Sequence, residues 1–362
     1  CWSETMLSKT AGMTVDQMPR LVSGCDTIGT IGSAGAGAGA GADDVSTLGL
    51  PLNCEVAGGA GDNAAAACGV GVLCEGQGFV SLGTSGVLLA SRQGAPLSQP
   101  STSIHTFCHA TPFTHSLKYK RWYQMGVILS CTDCLNWFGN ICKKTPMELT
   151  AALPNELPLS GPSETVRFYP YLSGERTPHN DANIRGSFVG LSTDTSENDM
   201  TKAVIEGVCF ALKDSLESLL LTNVSLTSLL AIGGGIASTY WLKTLATVLN
   251  LQLDVPAKGD FGAALGAARL ALAAYKRLGC TPPAPTPTAT AISPNEEILS
   301  DSTRELGEEE MRDRALVAIM FTPAIDYSVL PDNREGIRQA YDKAYKKYRD
   351  SYPLLKALQC NE

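Results

Sequence analysis

The sequence predicts an α/β fold. Apolar strand-like runs alternate with helical patterns, and three glycine-rich turns each follow a predicted strand. With 362 residues, 44% of them hydrophobic and 18% charged, the chain can bury a sizeable core and has room for about two domains.

The elements follow in order. Trp2–Gly12 has a helical pattern, and an alternating Ala-Gly run at 33–42 buries little and reads as a flexible insert. A short strand is expected around Cys54–Ala57, a helix from Asp62, and a strand at Phe79–Leu82. A tight turn, Gly83–Gly86, separates that strand from the next, Val87–Ala90. Residues 121–143 and 199–222 have helical patterns. Ser228–Ile232 reads as a strand, followed by three glycines and a helix over Ser238–Asn250; Leu251–Pro256 reads as a strand, and Phe261–Leu278 as another helix. Residues 281–312 break the rhythm with a Pro/Thr-rich stretch and then acid, as a solvated insert does. The last residues carry tyrosines at helical spacing, which predicts a C-terminal helix docking on the domain.

Several function classes fall away. Net charge is −8 and the one basic cluster is Leu117–Arg121, so a nucleic-acid partner is not expected. No apolar run approaches the ~18–20 residues of a membrane span. The N-terminus has no signal-peptide pattern, the end carries no lipidation motif, and the 12 cysteines are scattered, which favours a reducing, cytoplasmic setting. Cys131 and Cys134 form a CxxC without a matching second pair, inside an apolar helical pattern, and are read as helix packing. His105, His109, His115 and His179 make no helix-spaced metal pair, and no metal-ligating side chain is assigned. A phosphate-binding GxxxxGK[ST], a GxSxG elbow and a dinucleotide fingerprint are absent, and Asp260-Phe261-Gly262 stands without the other protein-kinase signatures.

The three turns carry what chemistry there is. Asp62 and Asn63 stand where a strand gives way to an alanine-rich helix. The carboxylate either caps that helix or is exposed at a strand's carboxyl end, where α/β sheets place ligands. In Gly83-Thr84-Ser85-Gly86, backbone N–H groups and hydroxyls can face phosphate oxygens; an ordinary hairpin is the alternative. Gly233-Gly234-Gly235, with Ser238 after them, permit close approach of a nucleotide or tight strand–helix packing.

Gly59–Val72, Val80–Ala90, Phe107–Pro112, Phe168–Asp181, Gly186–Leu191 with Asp199–Gly207, and Ile232–Pro256 occur in an order that resembles the FGGY carbohydrate kinases. Among these, the chain is similar to the carboxy-terminal half of the xylulokinases, over about residues 2–275 and the C-terminal helix. The implied fold is actin/hexokinase-like (ribonuclease H-like), the carboxy-terminal half of a two-domain sugar kinase. The opening Cys1 and the lack of a DxGT phosphate loop fit a piece of a longer polypeptide; Asp26–Thr30 is taken as a chance likeness to that loop. The expected division is 1–50 as a remnant of the first domain with linker, 51–280 as the kinase domain, 281–320 as the insert, and 321–362 as the docking helix.

The resemblance implies ATP-dependent phosphorylation of D-xylulose, with ATP and Mg²⁺ as cofactors, activity poor or absent in this chain alone, and a homodimer as a candidate assembly. A related sugar or polyol kinase and a non-catalytic nucleotide-binding remnant are the alternatives. Asp62 would be the general base and Asn63 a sugar ligand. Gly83, Thr84, Ser85 and Gly86 would face the phosphates, and Gly234, Gly235 and Ser238 the adenosine. Glu175 and Arg176 read as a structural ion pair or an interdomain contact.

Overall fold

The computed structural model describes residues 2–31, 54–93, 103–110, 121–162, 165–257, 262–277, 325–334 and 336–359. The Ala-Gly run, the 281–312 insert, His115, most of Leu117–Arg121, and Asp260 with Phe261 lie outside the described residues.

The chain opens with α1 (Glu4–Ala11), which Ser3 caps through the Met6 N–H. A small antiparallel pair follows, β1 (Thr27–Thr30) on β2 (Glu55–Ala57). The Asp26–Thr30 string is therefore a turn into a strand, with the Asp26 carboxylate accepting the Ser23 N–H at 2.8 Å. Next come α2 (Asp62–Val70), β3 (Gly78–Leu82), β4 (Gly86–Gln93), β5 (His105–Cys108) and β6 (Arg121–Ile128). After them lie α3 (Thr132–Cys142), α4 (Pro146–Ala151), β7 (Arg167–Tyr169), β8 (Ser187–Val189) and α5 (Glu197–Leu220). The chain continues through β9 (Ser228–Ile232), α6 (Thr239–Leu249), β10 (Gln252–Pro256), α7 (Gly262–Arg277), β11 (Ile325–Val329) and α8 (Ile337–Gln359).

The central sheet has the order β11-β10-β9-β3-β4-β6-β5. β3, β9 and β10 run parallel, whereas β4 is antiparallel to both β3 and β6. Four antiparallel strands, β3-β4-β6-β5, thus continue sideways through β3 into the parallel β9 and β10, and the α/β expectation holds. Period-two alternation divides the core. Val80 and Leu82 of β3 face a large cluster with α3, α5, α6 and α8, whereas Phe79 faces a smaller cluster with α2 and α7. On that second side the helices meet backbone to backbone. A Cβ at Gly69 would strike the Gly262 carbonyl and one at Gly266 the Ala65 carbonyl, so the small residues set the closeness of α2 and α7.

Two expectations need correction. The helical pattern over 121–143 is a strand, β6, followed by α3. β6 is sandwiched between β4 and β5, which places Arg121–Ile128 in the sheet whatever its local pattern suggests. The segment 321–362 does not hold only a docking helix, because β11 precedes that helix and pairs antiparallel with β10. β1, β5, β7 and β8 are further strands that the sequence pattern does not predict.

α8 docks as its tyrosine spacing predicts, with Tyr341, Tyr345 and Tyr348 buried. Tyr348 donates to the Tyr171 hydroxyl at 2.9 Å, and Tyr345 to the Asp214 carboxylate at 2.6 Å. Ion pairs at the rim, Lys213–Asp342 and Arg349–Glu217, are solvent-accessible and add little. Asp214 is a buried acid with its second oxygen unpartnered. Burial pushes it from 3.8 up to about 7, against the lowering bond from Tyr345. The folded protein therefore holds a proton that the unfolded chain has released between those two values. Stability from this group is complete below about pH 3.8 and is lost as pH rises through about 7. Denaturant unfolding across that window should show the decline, and Asp214→Asn should flatten it by an amount on the order of a few kcal/mol. An unchanged slope in Asp214→Asn would contradict the assignment.

Candidate active site

The site is built first from a hairpin whose turn has its carbonyls occupied. β3 and β4 close on the pair Leu82–Gly86, leaving Gly83, Thr84 and Ser85 as the turn. Beside it α3 begins at Cys131, which provides no side-chain cap, so the helix's first amides need other acceptors. The turn supplies them. The Gly83 carbonyl accepts the Thr132 N–H at 2.9 Å and the Thr132 hydroxyl at 2.8 Å. The Thr84 carbonyl accepts the Cys131 N–H at 2.8 Å and the Asp133 N–H at 3.4 Å. With both carbonyls drawn toward α3, Thr84 and Ser85 are exposed, and among the described residues nothing accepts from their N–H groups. Such a turn is a ready anion cradle. Gly86 is required by space, since a Cβ there would lie 2.6 Å from Ile128 Cγ1.

The loop after β9 lies directly against this turn. β3 and β9 run side by side to the pair Ser81–Ile232. Gly233 takes φ +90°, and a Cβ on it would sit 2.7 Å from the Leu82 carbonyl oxygen. Gly235 is packed on Leu82 itself, whereas Gly234 is exposed, with nothing within 4 Å of where a Cβ would lie. Ser238 is half-buried, and its hydroxyl accepts the Trp241 N–H at 3.3 Å as the cap of α6. Of the two readings of these glycines, packing therefore accounts for Gly233 and Gly235, and only Gly234 offers open backbone.

Asp62 stands on a third element. Gly61 is the N-cap of α2, so Asp62 is the first helical residue and does not cap. Its exposed carboxylate suits the positive end of the helix and accepts the Asn63 N–H at 2.7 Å and side-chain amide at 3.2 Å. Its charge, after burial, helps push the Tyr123 phenol up to about 12. The structure thus brings together the Gly83–Gly86 turn and the Gly233–Gly235 loop, with Asp62 and Asn63 joined to each other on α2.

The 168–181 stretch holds a surprise. Glu175 makes no ion pair with Arg176; its buried carboxylate accepts backbone N–H groups from Leu129 and Arg176. Cys131 and Cys134 are buried thiols that burial pushes well up, and they pack as expected at the start of α3. His109 is buried against the Val72 carbonyl and His179 lies stacked on Tyr352, and burial lowers both to about 4. No group of three or more His, Cys, Asp or Glu among the described residues gathers as a metal cage, and no described helix is long and apolar enough to cross a membrane. Sequence reasoning missed the part α3 plays in holding the turn; apart from the Thr132 hydroxyl the partners are backbone groups, which leave no residue signature.

Residues 78–275 match the C-terminal domain of the FGGY family of carbohydrate kinases. The chain is 39% identical over 270 residues to a xylulose kinase of Escherichia coli, covering 75% of this chain and 51% of that protein. It is 36% identical over 263 residues to a xylulose kinase of Staphylococcus epidermidis, covering 71% and 48%. The chain spans about half the length of the curated relatives it matches. Its fold superposes on the crystal structure of a xyloylose kinase from Brucella ovis with a TM-score of 0.76 at 41% identity, over 99% of this chain and 62% of that one. A glycerol kinase of Plasmodium falciparum, at 19% identity and TM-score 0.69 over 100% of this chain and 60% of that one, shares the fold.

The contrast between neighbouring glycines is testable by denaturant unfolding. Gly235→Ala places a methyl 2.6 Å from Leu82 Cβ and should cost about 1–3 kcal/mol. Gly234→Ala meets open space and should stay within about 0.5 kcal/mol of the parent. Equal losses would contradict this geometry.

Proposed function

Because this chain belongs to the FGGY family of carbohydrate kinases, we propose that it is the phosphate- and nucleotide-binding part of a kinase that phosphorylates D-xylulose with ATP. The observation that carries the reading is the Gly83–Gly86 turn, whose Gly83 and Thr84 carbonyls are occupied by α3 and whose exposed Thr84 and Ser85 have N–H groups with no acceptor among the described residues. D-Xylulose is supported by the relatives called xylulose kinase, at 39% and 36% identity.

In this reading Thr84 and Ser85 hold the phosphate oxygens through backbone N–H and hydroxyl groups. Adenosine lies along the loop after β9, where Gly234 offers open backbone. Ser238 acts there by fixing the start of α6, since its hydroxyl is engaged as a cap. Asp62 accepts the proton of the sugar hydroxyl as that oxygen bonds to the γ-phosphorus and the bond to the β-phosphate oxygen breaks. An exposed carboxylate with one oxygen engaged by Asn63 has the other available for that proton. Asn63 orients the carboxylate and a sugar hydroxyl. Mg²⁺, when bound on the phosphates, spreads the developing charge.

The test is made in the whole protein. Asp62→Asn should lower sugar-dependent ADP release by about 10²–10⁴-fold. ATP affinity should stay within about twofold of the parent, since the hydrogen bonds of the Asp62 carboxylate go to Asn63. Turnover at the parental rate in Asp62→Asn would remove Asp62 from the base role.

A further inference from the structure

Glu175 is 2% exposed, on the connection between β7 and β8. One carboxylate oxygen accepts the Leu129 N–H at 3.1 Å and the Arg176 N–H at 2.7 Å. The other is buried without a partner. Burial pushes the acid up to about 8, with the two backbone bonds opposing that rise. A buried carboxyl group with an unpartnered oxygen is costly, and packing alone is served better by an apolar side chain.

Its partner residue gives it a consequence. Leu129 is the first residue beyond β6, and Cys131 and Thr132, just after it, are the residues whose N–H groups hold the Thr84 and Gly83 carbonyls. Two residues from Glu175, Thr177 clamps Val127 in both directions: its N–H donates to the Val127 carbonyl and its hydroxyl accepts the Val127 N–H, each at 3.0 Å. The Thr177 hydroxyl also donates to the Ser103 carbonyl at 3.1 Å. The 175–177 segment therefore extends the sheet past the end of β5 and fixes where β6 stops and α3 starts.

We propose that Glu175 is a positioning residue for the Gly83–Gly86 turn: by holding the Leu129 N–H it sets the placement of the first amides of α3, and through the carbonyls they grip it aims the Thr84 and Ser85 N–H groups at phosphate. This rests on the reading of that turn as the phosphate site. Glu175 touches no substrate in this arrangement; it acts through two backbone hydrogen bonds in series.

The experiment is calorimetric titration of the full chain with ATP, ADP and adenosine, in the parent, Glu175→Ala and Glu175→Gln. The Gln amide oxygen can accept the same two N–H groups, so Glu175→Gln should bind ATP and ADP within about twofold of the parent. Glu175→Ala leaves the Leu129 N–H unpaired and should weaken ATP and ADP by about tenfold while adenosine affinity is unchanged. Should Glu175→Ala fail to fold, Glu175→Asp serves instead. Its carboxylate is one methylene short of holding both N–H groups, and it should show the same selective loss to a smaller degree. Parental ATP affinity in folded Glu175→Ala or Glu175→Asp would overturn the proposal, and so would a parallel loss of ATP and adenosine. A parent that binds ATP and ADP no better than adenosine would overturn the phosphate reading of the turn itself, and Glu175's part with it.

Discussion

The start of α3 depends on carbonyl groups borrowed from a distant hairpin. Every α-helix begins with N–H groups that have no partner inside it, and this one has no side-chain cap. The Gly83 and Thr84 carbonyls fill that role. The same bonds settle the hairpin: a three-residue turn has few peptide groups, and turning two carbonyls inward exposes the amides that follow. One local requirement of a helix thereby produces an anion-facing surface on its neighbour.

The sheet order makes that surface useful. β3 is central, with β4 leading out of the turn on one side and β9 parallel to it on the other. The loop after β9 therefore emerges next to the turn, and Gly233 and Gly235 let it lie against Leu82 without a side chain between them. Gly234, the one glycine in that loop with free space, is left at the surface. Across the sheet, α2 can approach because it and α7 meet through glycine and alanine, and α2 presents Asp62 at its first position. Glu175 and Thr177 fix the end of β6 that lies beside the turn, where Ile128 pairs with Gly86.

Much of this was legible in the sequence because glycine and small residues mark it. The strand–turn–strand over 79–90, the strand–glycine–helix after Ser228 and the alanine-rich helix from Asp62 all stand where the patterns put them. What the sequence hides has physical causes. β6 runs into α3 after three residues, so a single apolar stretch contains a strand and a helix. β5, β7, β8 and β11 are short, and a strand of three to five residues gives too few alternations to read. The grip of α3 on the turn joins positions 49 residues apart through peptide groups and the Thr132 hydroxyl, and the Glu175 carboxylate meets the Leu129 N–H across 46. Each contact has a peptide group on at least one side, so no pairing of side chains in the sequence marks it. Of the two readings of Glu175 and Arg176, the ion pair is not formed, because the Glu175 carboxylate is taken by peptide N–H groups.

Whether phosphate meets the turn decides between a nucleotide cradle and an ordinary hairpin. Amide NMR of the ¹⁵N-labelled protein, titrated in parallel with ADP and with adenosine, addresses this residue by residue. The Thr84 and Ser85 amide resonances should move with ADP and stay in place with adenosine, while Gly234 moves with both. ADP binding that leaves the Thr84 and Ser85 amides unmoved would contradict the phosphate role of the turn.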